Sequence, residues 1–249
     1  MSLLDVKNVS QHFGSLVAVN NVTMAVEVGE LRALIGPNGA GKTTLFNLIS
    51  GFFRPTAGRI LLSGQDITGL APHKRVGLGM ARTFQITEIF PELSVRQNLR
   101  IPVELAMGMR LQPWLGRADD AQVRERVDEL MDLGGLTQHA DRMVGELSHG
   151  DQRATEIMMA LALKPRILLL DEPTAGMGSR ETYSTAMLIR KLHRTQALTI
   201  VLVEHDMRVI FNLADRITVL AEGAVLEEGA PDEIAASERV QDAYLGRVA

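Results

Sequence analysis

Residues Gly36-Pro37-Asn38-Gly39-Ala40-Gly41-Lys42-Thr43 set glycines, a lysine and a hydroxyl at the spacing that wraps a polyphosphate. Glycine allows backbone conformations that turn successive N–H groups inward, and a helix opening at Lys42 adds partial positive charge. Lys42 would reach the β- and γ-phosphates, and the Thr43 hydroxyl would ligate Mg²⁺. A glycine-rich turn before an ordinary helix is the plainer reading. It loses to the completeness of the pattern and its flanks, apolar Leu31–Ile35 before it and helical Lys42–Ile49 after it.

The apolar run Ile167–Leu170 delivers two adjacent carboxylates, Asp171 and Glu172, at its carboxyl end, where ligands bind in sheets of parallel strands. Asp171 can hold the Mg²⁺ shell, and Glu172 can orient and polarise an attacking water. Alone, the pair could equally be a surface acidic end to a strand before Pro173; beside a phosphate loop it is not. A third feature is Ser148, with Asp151 three positions on, ahead of an apolar helix. This is a capping-box spacing, and a helix start of the form Ser-x-Gly is also an anion site.

The elements that must position these residues alternate. Strands are expected at Leu3–Val9, Val22–Val28, Leu31–Ile35, Arg59–Leu62 and Ala81–Phe84, and the helix from Lys42 ends at Gly51. From Ser94 to about Gly135 the pattern is helical, with Val123, Val127, Leu130 and Met131 on one face and Arg124, Glu125, Asp128 and Glu129 elsewhere. A further helix runs from Ser148 to about Leu163. Then come strand Ile167–Leu170, a helix across Ser179–Thr195 and strand Thr199–Val203. Short apolar strands alternating with helices predict an α/β fold with a mostly parallel sheet, interrupted by an all-helical insert at about 90–160.

Composition narrows the classes. The 249 residues carry a formal charge of -4 and are 46% hydrophobic, which favours a large folded core and disfavours a nucleic-acid partner. With no cysteine, disulfides, thiolate metal sites and cysteine nucleophiles are excluded. Met1–Asn8 lacks a signal-peptide pattern, and the runs Ile157–Leu163 and Ile167–Leu170 are split by Lys164, Pro165 and Arg166. Neither approaches the roughly 20 apolar residues of a membrane span, so any membrane role is expected to be borrowed from a partner.

Taken in order, the motifs resemble those of ABC transporter ATP-binding subunits across essentially the whole chain. The phosphate loop corresponds to Walker A and Leu168–Glu172 to Walker B. Gln85, in Arg82-Thr83-Phe84-Gln85, matches the Q-loop glutamine, and Leu147-Ser148-His149-Gly150-Asp151-Gln152 resembles the ABC signature. His205, in Val203-Glu204-His205-Asp206, matches the switch histidine, and Phe13 sits where the family stacks an aromatic on adenine. The resemblance implies a P-loop ATPase core with an N-terminal antiparallel β-subdomain and an inserted helical lobe. As one domain over 1–249, its core lobe would span 1–89 and 161–249, and its signature-bearing lobe 90–160.

The resemblance also implies the site. ATP would be held by Phe13, Gly36, Pro37, Asn38, Gly39, Ala40, Gly41, Lys42, Thr43 and Thr44, with Ser148 and Gly150 contributed in trans. Mg²⁺ would be held by Thr43, Gln85 and Asp171, and catalysis would fall to Glu172, His205 and Gln85. Partners would be a second cassette (a sister subunit or a second copy), transmembrane permease subunits near Ile86–Ser94 and, indirectly, a periplasmic or extracellular solute-binding protein. The subunit would sit peripherally on the cytoplasmic face of the inner or plasma membrane. No nucleic acid is implied.

Three positions depart from the pattern. His149 and Asp151 replace the first glycine and the glutamine of the common signature, and Gly178 stands where the loop after Walker B usually ends in Asp. Glu172 is intact, so hydrolysis is still expected. Gly14–Val22, Arg82–Asn98, Val203–Met207, the extra residues of about Pro102–Asp119 and the ending Arg216–Gly246 look like the larger ATPase subunit of branched-chain amino-acid type importers. An ATPase subunit does not touch the solute, so the solute is analogy. The rivals are a phosphate-loop GTPase or kinase, an ABC protein acting on DNA or ribosomes, and a non-catalytic nucleotide module. The first lacks an Asn-Lys-x-Asp segment, the second a long insertion or second cassette, and the third is disfavoured by Glu172 and His205.

Overall fold

The computed structural model describes residues 2–83, 89–108 and 117–245. Their elements run β1 (Ser2–Phe13), β2 (Leu16–Glu27), β3 (Leu31–Ile35), α1 (Lys42–Ser50), β4 (Ala57–Leu62), β5 (Gln65–Asp66), α2 (Pro72–Val76), β6 (Met80–Arg82), α3 (Val95–Ala106), α4 (Arg117–Gly134), α5 (His149–Ala162), β7 (Ile167–Asp171), α6 (Ser179–Gln196), β8 (Thr199–Val203), α7 (Met207–Leu213), β9 (Arg216–Ala221), β10 (Ala224–Gly229), α8 (Pro231–Ala236) and α9 (Glu238–Leu245). The strands form a four-stranded antiparallel sheet, β2-β1-β4-β5, and a six-stranded sheet, β10-β9-β3-β8-β7-β6. In the larger sheet β9, β3, β8, β7 and β6 are parallel and β10 is antiparallel at the edge.

Strands β3, β7 and β8 are buried at every residue, as expected of parallel strands covered on both faces. Side chains alternate between the two layers. Leu168 and Leu170 join the cluster made with α3, α4, α5 and α6, while Ile167 and Leu169 join the cluster under α1 and the smaller sheet. A third cluster sets Val240 of α9 and Ile234 of α8 against Ala33, Ile35, Ile217 and Val219.

The helical stretch follows the sequence pattern. Val123, Val127, Leu130 and Met131 are buried in one cluster, and Arg124, Glu125, Asp128 and Glu129 are exposed. Helix α3 opens with a capping box, Ser94 accepting from the Gln97 N–H and Gln97 from the Ser94 N–H.

The largest difference from the pattern is the first hairpin. Each strand is 12 residues long, well beyond Leu3–Val9 and Val22–Val28. Asn8 and Asn21 both have φ of 50° and bond each other across the ladder at 3.1 Å. The register shifts around them break the period-two alternation that would have revealed the full strands. Residues Phe84 and Ile86 and the final Gly246 lie outside the described residues.

Candidate active site

Four neighbouring parallel strands, β3-β8-β7-β6, end on one side of the sheet. Their carboxyl ends carry Gly36, His205, Asp171 with Glu172, and Arg82 with the segment leading to Gln85. The sheet therefore gathers residues more than a hundred positions apart at the edge where α/β ligands bind.

The phosphate loop leaves β3 at Gly36 with φ of 149°, and a Cβ there would lie 2.1 Å from the Leu220 carbonyl oxygen. At Gly41 φ is 95° and a Cβ would meet the Ala18 carbonyl at 2.4 Å. Glycine is therefore required at both positions by backbone conformation and by space. The β9–β10 turn props the loop, the Gly223 N–H donating to the Ala40 carbonyl at 3.2 Å. Lys42 is buried, and its Nζ donates to the Gly36 and Pro37 carbonyls at 2.6 and 2.9 Å. Burial lowers its pKa from the ordinary lysine value, with the Glu172 carboxylate working against that shift.

A cleft of about 360 Å³ lies over this loop, lined by Lys42, Thr43, Thr44, Glu172 and His205 among others. Glu172 sits at φ 45°, an uncommon conformation for a non-glycine residue. Its Oε1 is 2.6 Å from His205 Nε2. Asp171 is buried one residue earlier. Burial pushes its carboxyl up from the ordinary value, and Arg82, 2.8 Å away, pulls it down.

Phe13 lies at the end of β1, 44% exposed, edge-to-face with Phe53 at 5.6 Å between ring centres. Leu16, Val17 and Ala18 line the cleft on that side. Gln85 falls outside the described residues.

Ser148 and Gly150 line a separate hollow that shares no lining residue with the phosphate-loop cleft. Ser148 caps α5, accepting from the Asp151 N–H at 3.2 Å. The Asp151 carboxylate remains at the helix start and takes the Ser148 hydroxyl at 2.9 Å. Glu181 of α6 accepts from the Gly150 N–H and, through its other oxygen, from the Gly178 N–H, both at 3.3 Å. The glycine that departs from the usual loop ending is thus tied to the signature through Glu181.

Of the proposed docking residues, Phe90 is exposed and Ile89 is partly buried against the core; Ile86 lies outside the described residues.

Several residues were missed by sequence reasoning. Arg82 is one. Glu204 is another, buried, accepting from the His205 N–H at 2.8 Å and from the Thr174 N–H at 3.0 Å. It ties the histidine's loop to the segment after Glu172; its place beside His205 was visible, its partner thirty residues away was not. On α9, Tyr244 comes beside Gly36: burial raises its hydroxyl pKa and the Gly36 backbone N–H lowers it.

A model of the ABC transporter family matches residues 19–175, and one of the branched-chain amino acid ATP-binding cassette transporter matches residues 224–249. The high-affinity branched-chain amino acid transport ATP-binding protein LivG of Escherichia coli strain K12 is 40% identical over 250 residues, covering 98% of each chain. Its counterpart BraF of Pseudomonas aeruginosa is 38% identical with the same coverage. Among solved structures, the ADP conformation of MJ1267, an ATP-binding cassette of an ABC transporter, matches with a TM-score of 0.87 and 28% identity over 99% of both chains. Fold and site together are those of a phosphate-loop ATPase. The chain belongs to the ABC transporter family, as an ATP-binding cassette that hydrolyses ATP.

Proposed function

We propose that this cassette drives an importer of branched-chain amino acids or related solutes from the cytoplasmic face of the membrane, as a peripheral subunit. The full-length similarity to LivG and BraF and the match of the C-terminal segment support that reading. Among the described residues no helix is long and apolar enough to cross a membrane, which fits a subunit that works through permease partners. Residues 1–89 and 161–249 form the nucleotide-binding lobe in this reading, and 90–160 the lobe that carries the signature and meets the permease near Phe90.

The phosphate-loop amides and Lys42 hold the β- and γ-phosphates, and Phe13 stacks on the adenine. Oxygen donors of the Thr43 and Asp171 type suit Mg²⁺, which favours hydroxyl, carboxylate, phosphate and water ligands. Asp171, buried at the carboxyl end of β7 one residue before the cleft-lining Glu172, has a carboxylate that fits that ion, with Gln85 as a further ligand. When bound, the ion would neutralise charge on the phosphates. Glu172 orients the attacking water and His205 contacts the γ-phosphate, so hydrolysis rests on positioning and electrostatics without a covalent enzyme intermediate. The observation that carries this assignment is the 2.6 Å contact between Glu172 and His205 beside the phosphate loop.

Ser148 and Gly150 serve a partner cassette's nucleotide, because they and the phosphate loop line separate hollows of one chain. A heterodimer with a sister ATPase is the favoured assembly, acting with permease subunits and, indirectly, a solute-binding protein.

The test is to reconstitute the cassette with its permease and sister subunits in liposomes and follow ATP-dependent uptake of labelled leucine. Uptake competed by isoleucine and valine, and lost on Glu172→Gln, is the expected result. ATP-driven transport of another solute without leucine uptake would remove the branched-chain assignment.

A further inference from the structure

Arg82 closes β6, three residues before Gln85, and binds three parts of the molecule at once. Its Nη2 donates to Asp171 Oδ2 at 2.8 Å, with both side chains under 10% exposed. Its Nη1 donates to Asn47 Oδ1 at 2.7 Å and to Ser50 Oγ at 2.6 Å, both on α1, the helix that the phosphate loop opens. The guanidinium carbon lies 4.9 Å from the centre of the Phe46 ring and 5.3 Å from that of Phe52. Such a set fixes a planar side chain in orientation as well as in place.

We propose that Arg82 is the positioning residue for Asp171. It holds one carboxylate oxygen on a fork anchored to α1, so that the rest of the carboxylate keeps a fixed distance from the phosphate loop and Thr43. The inference rests on the assignment of Asp171 to Mg²⁺. An unanchored carboxylate at the end of β7 could rotate about its side-chain torsions, and a small ion that demands near-octahedral oxygen geometry tolerates little of that. Groups that orient a metal-ligating carboxylate typically contribute 10–100-fold to metal affinity or activity.

Arginine rather than lysine is needed for this work. A lysine could keep the charge beside Asp171 but could not also reach Asn47 and Ser50 with a rigid fork.

The experiment measures binding of a non-hydrolysable ATP analogue in excess Mg²⁺ and in EDTA, for the wild-type protein, Arg82→Gln, Arg82→Lys and Asp171→Asn, with thermal melts as a folding control. In the wild type Mg²⁺ should tighten binding. Arg82→Gln should lose ~10-fold or more of that gain while the affinity in EDTA stays near wild type, and Arg82→Lys should recover part of it. An Arg82→Gln protein that keeps the full Mg²⁺ gain overturns the proposal, as does equal weakening with and without the ion. A full gain in Asp171→Asn would take down the metal assignment itself and this inference with it. If Arg82→Gln does not fold, Asn47→Ala, which removes one anchor and leaves the ion pair, should show a smaller loss in the same direction; no loss would again count against the proposal.

Discussion

Helices α1 and α5 both begin with a glycine-containing turn that could hold a phosphate, yet the two starts are built differently. Helix α1 has Gly41 at its N-cap, no side-chain cap and no acidic residue in its first turn. Helix α5 is capped by Ser148 and carries Asp151 in its first turn, and Glu181 takes the Gly150 N–H. The first leaves its backbone donors and helix dipole open to an anion, while the second satisfies donors with the Ser148 hydroxyl and the Glu181 carboxylate. On the phosphate-loop side the backbone donors stand ready, and the Lys42 side chain must leave the Gly36 and Pro37 carbonyls to reach a phosphate. If the signature side serves a partner's nucleotide as proposed, it must first give up these internal partners, and its contribution is then conditional on assembly.

Loss of the phosphate-loop charge should have the largest effect. Lys42→Ala removes a cation whose contacts to phosphate are of the strong, charge-assisted kind, and should abolish most ATP affinity and turnover. Nucleotide titration and phosphate release measure both, and normal turnover would place the receptor elsewhere.

Next comes Glu172→Gln, expected to slow hydrolysis by ~10²-fold or more with ATP still bound. The bound state should appear as an ATP-dependent dimer on size-exclusion chromatography. Unchanged hydrolysis would transfer water activation to another residue.

Phe13→Ala should be milder. An aromatic contact of about 0.5–1.5 kcal/mol corresponds to a severalfold rise in KM for ATP with kcat little altered. If KM does not move, Phe13 belongs only to its pair with Phe53.

The smallest effect is expected on the conditional side. Glu181→Gln keeps a capping oxygen but removes the negative charge beside Gly150. With helix-end charges contributing about 0.3–1 kcal/mol, ATP-dependent dimerisation should shift to protein concentrations a few-fold lower. Sedimentation velocity across a dilution series would detect this. Weaker dimerisation would mean that Glu181 supports the signature helix rather than competing for its donors, and the contrast between the two helix starts would narrow.

Some of the site was legible in the chain because its chemistry is contiguous. The phosphate loop occupies eight consecutive residues, Asp171 and Glu172 are adjacent, and Ser148 lies three positions from the residue it caps. For such groups local backbone geometry is nearly sufficient, since a strand, a tight turn and a helix start orient neighbours with little help from the rest of the protein. The buried face of α4 was legible for the same reason: a 3.6-residue period is a local property. The first hairpin was only half legible because the bulges at Asn8 and Asn21 interrupt its alternation.

What only the tertiary structure decided is how distant side chains meet. Arg82 reaches Asp171 across 89 residues, Glu172 meets His205 across 33, Glu204 holds Thr174 across 30, and Glu181 reaches Gly150 across 31. Each pair depends on the strand order β3-β8-β7-β6 or on α6 packing beside α5. Sequence periodicity reports which face of an element is apolar, but it carries no information on which polar side chain will stand opposite once the layers close.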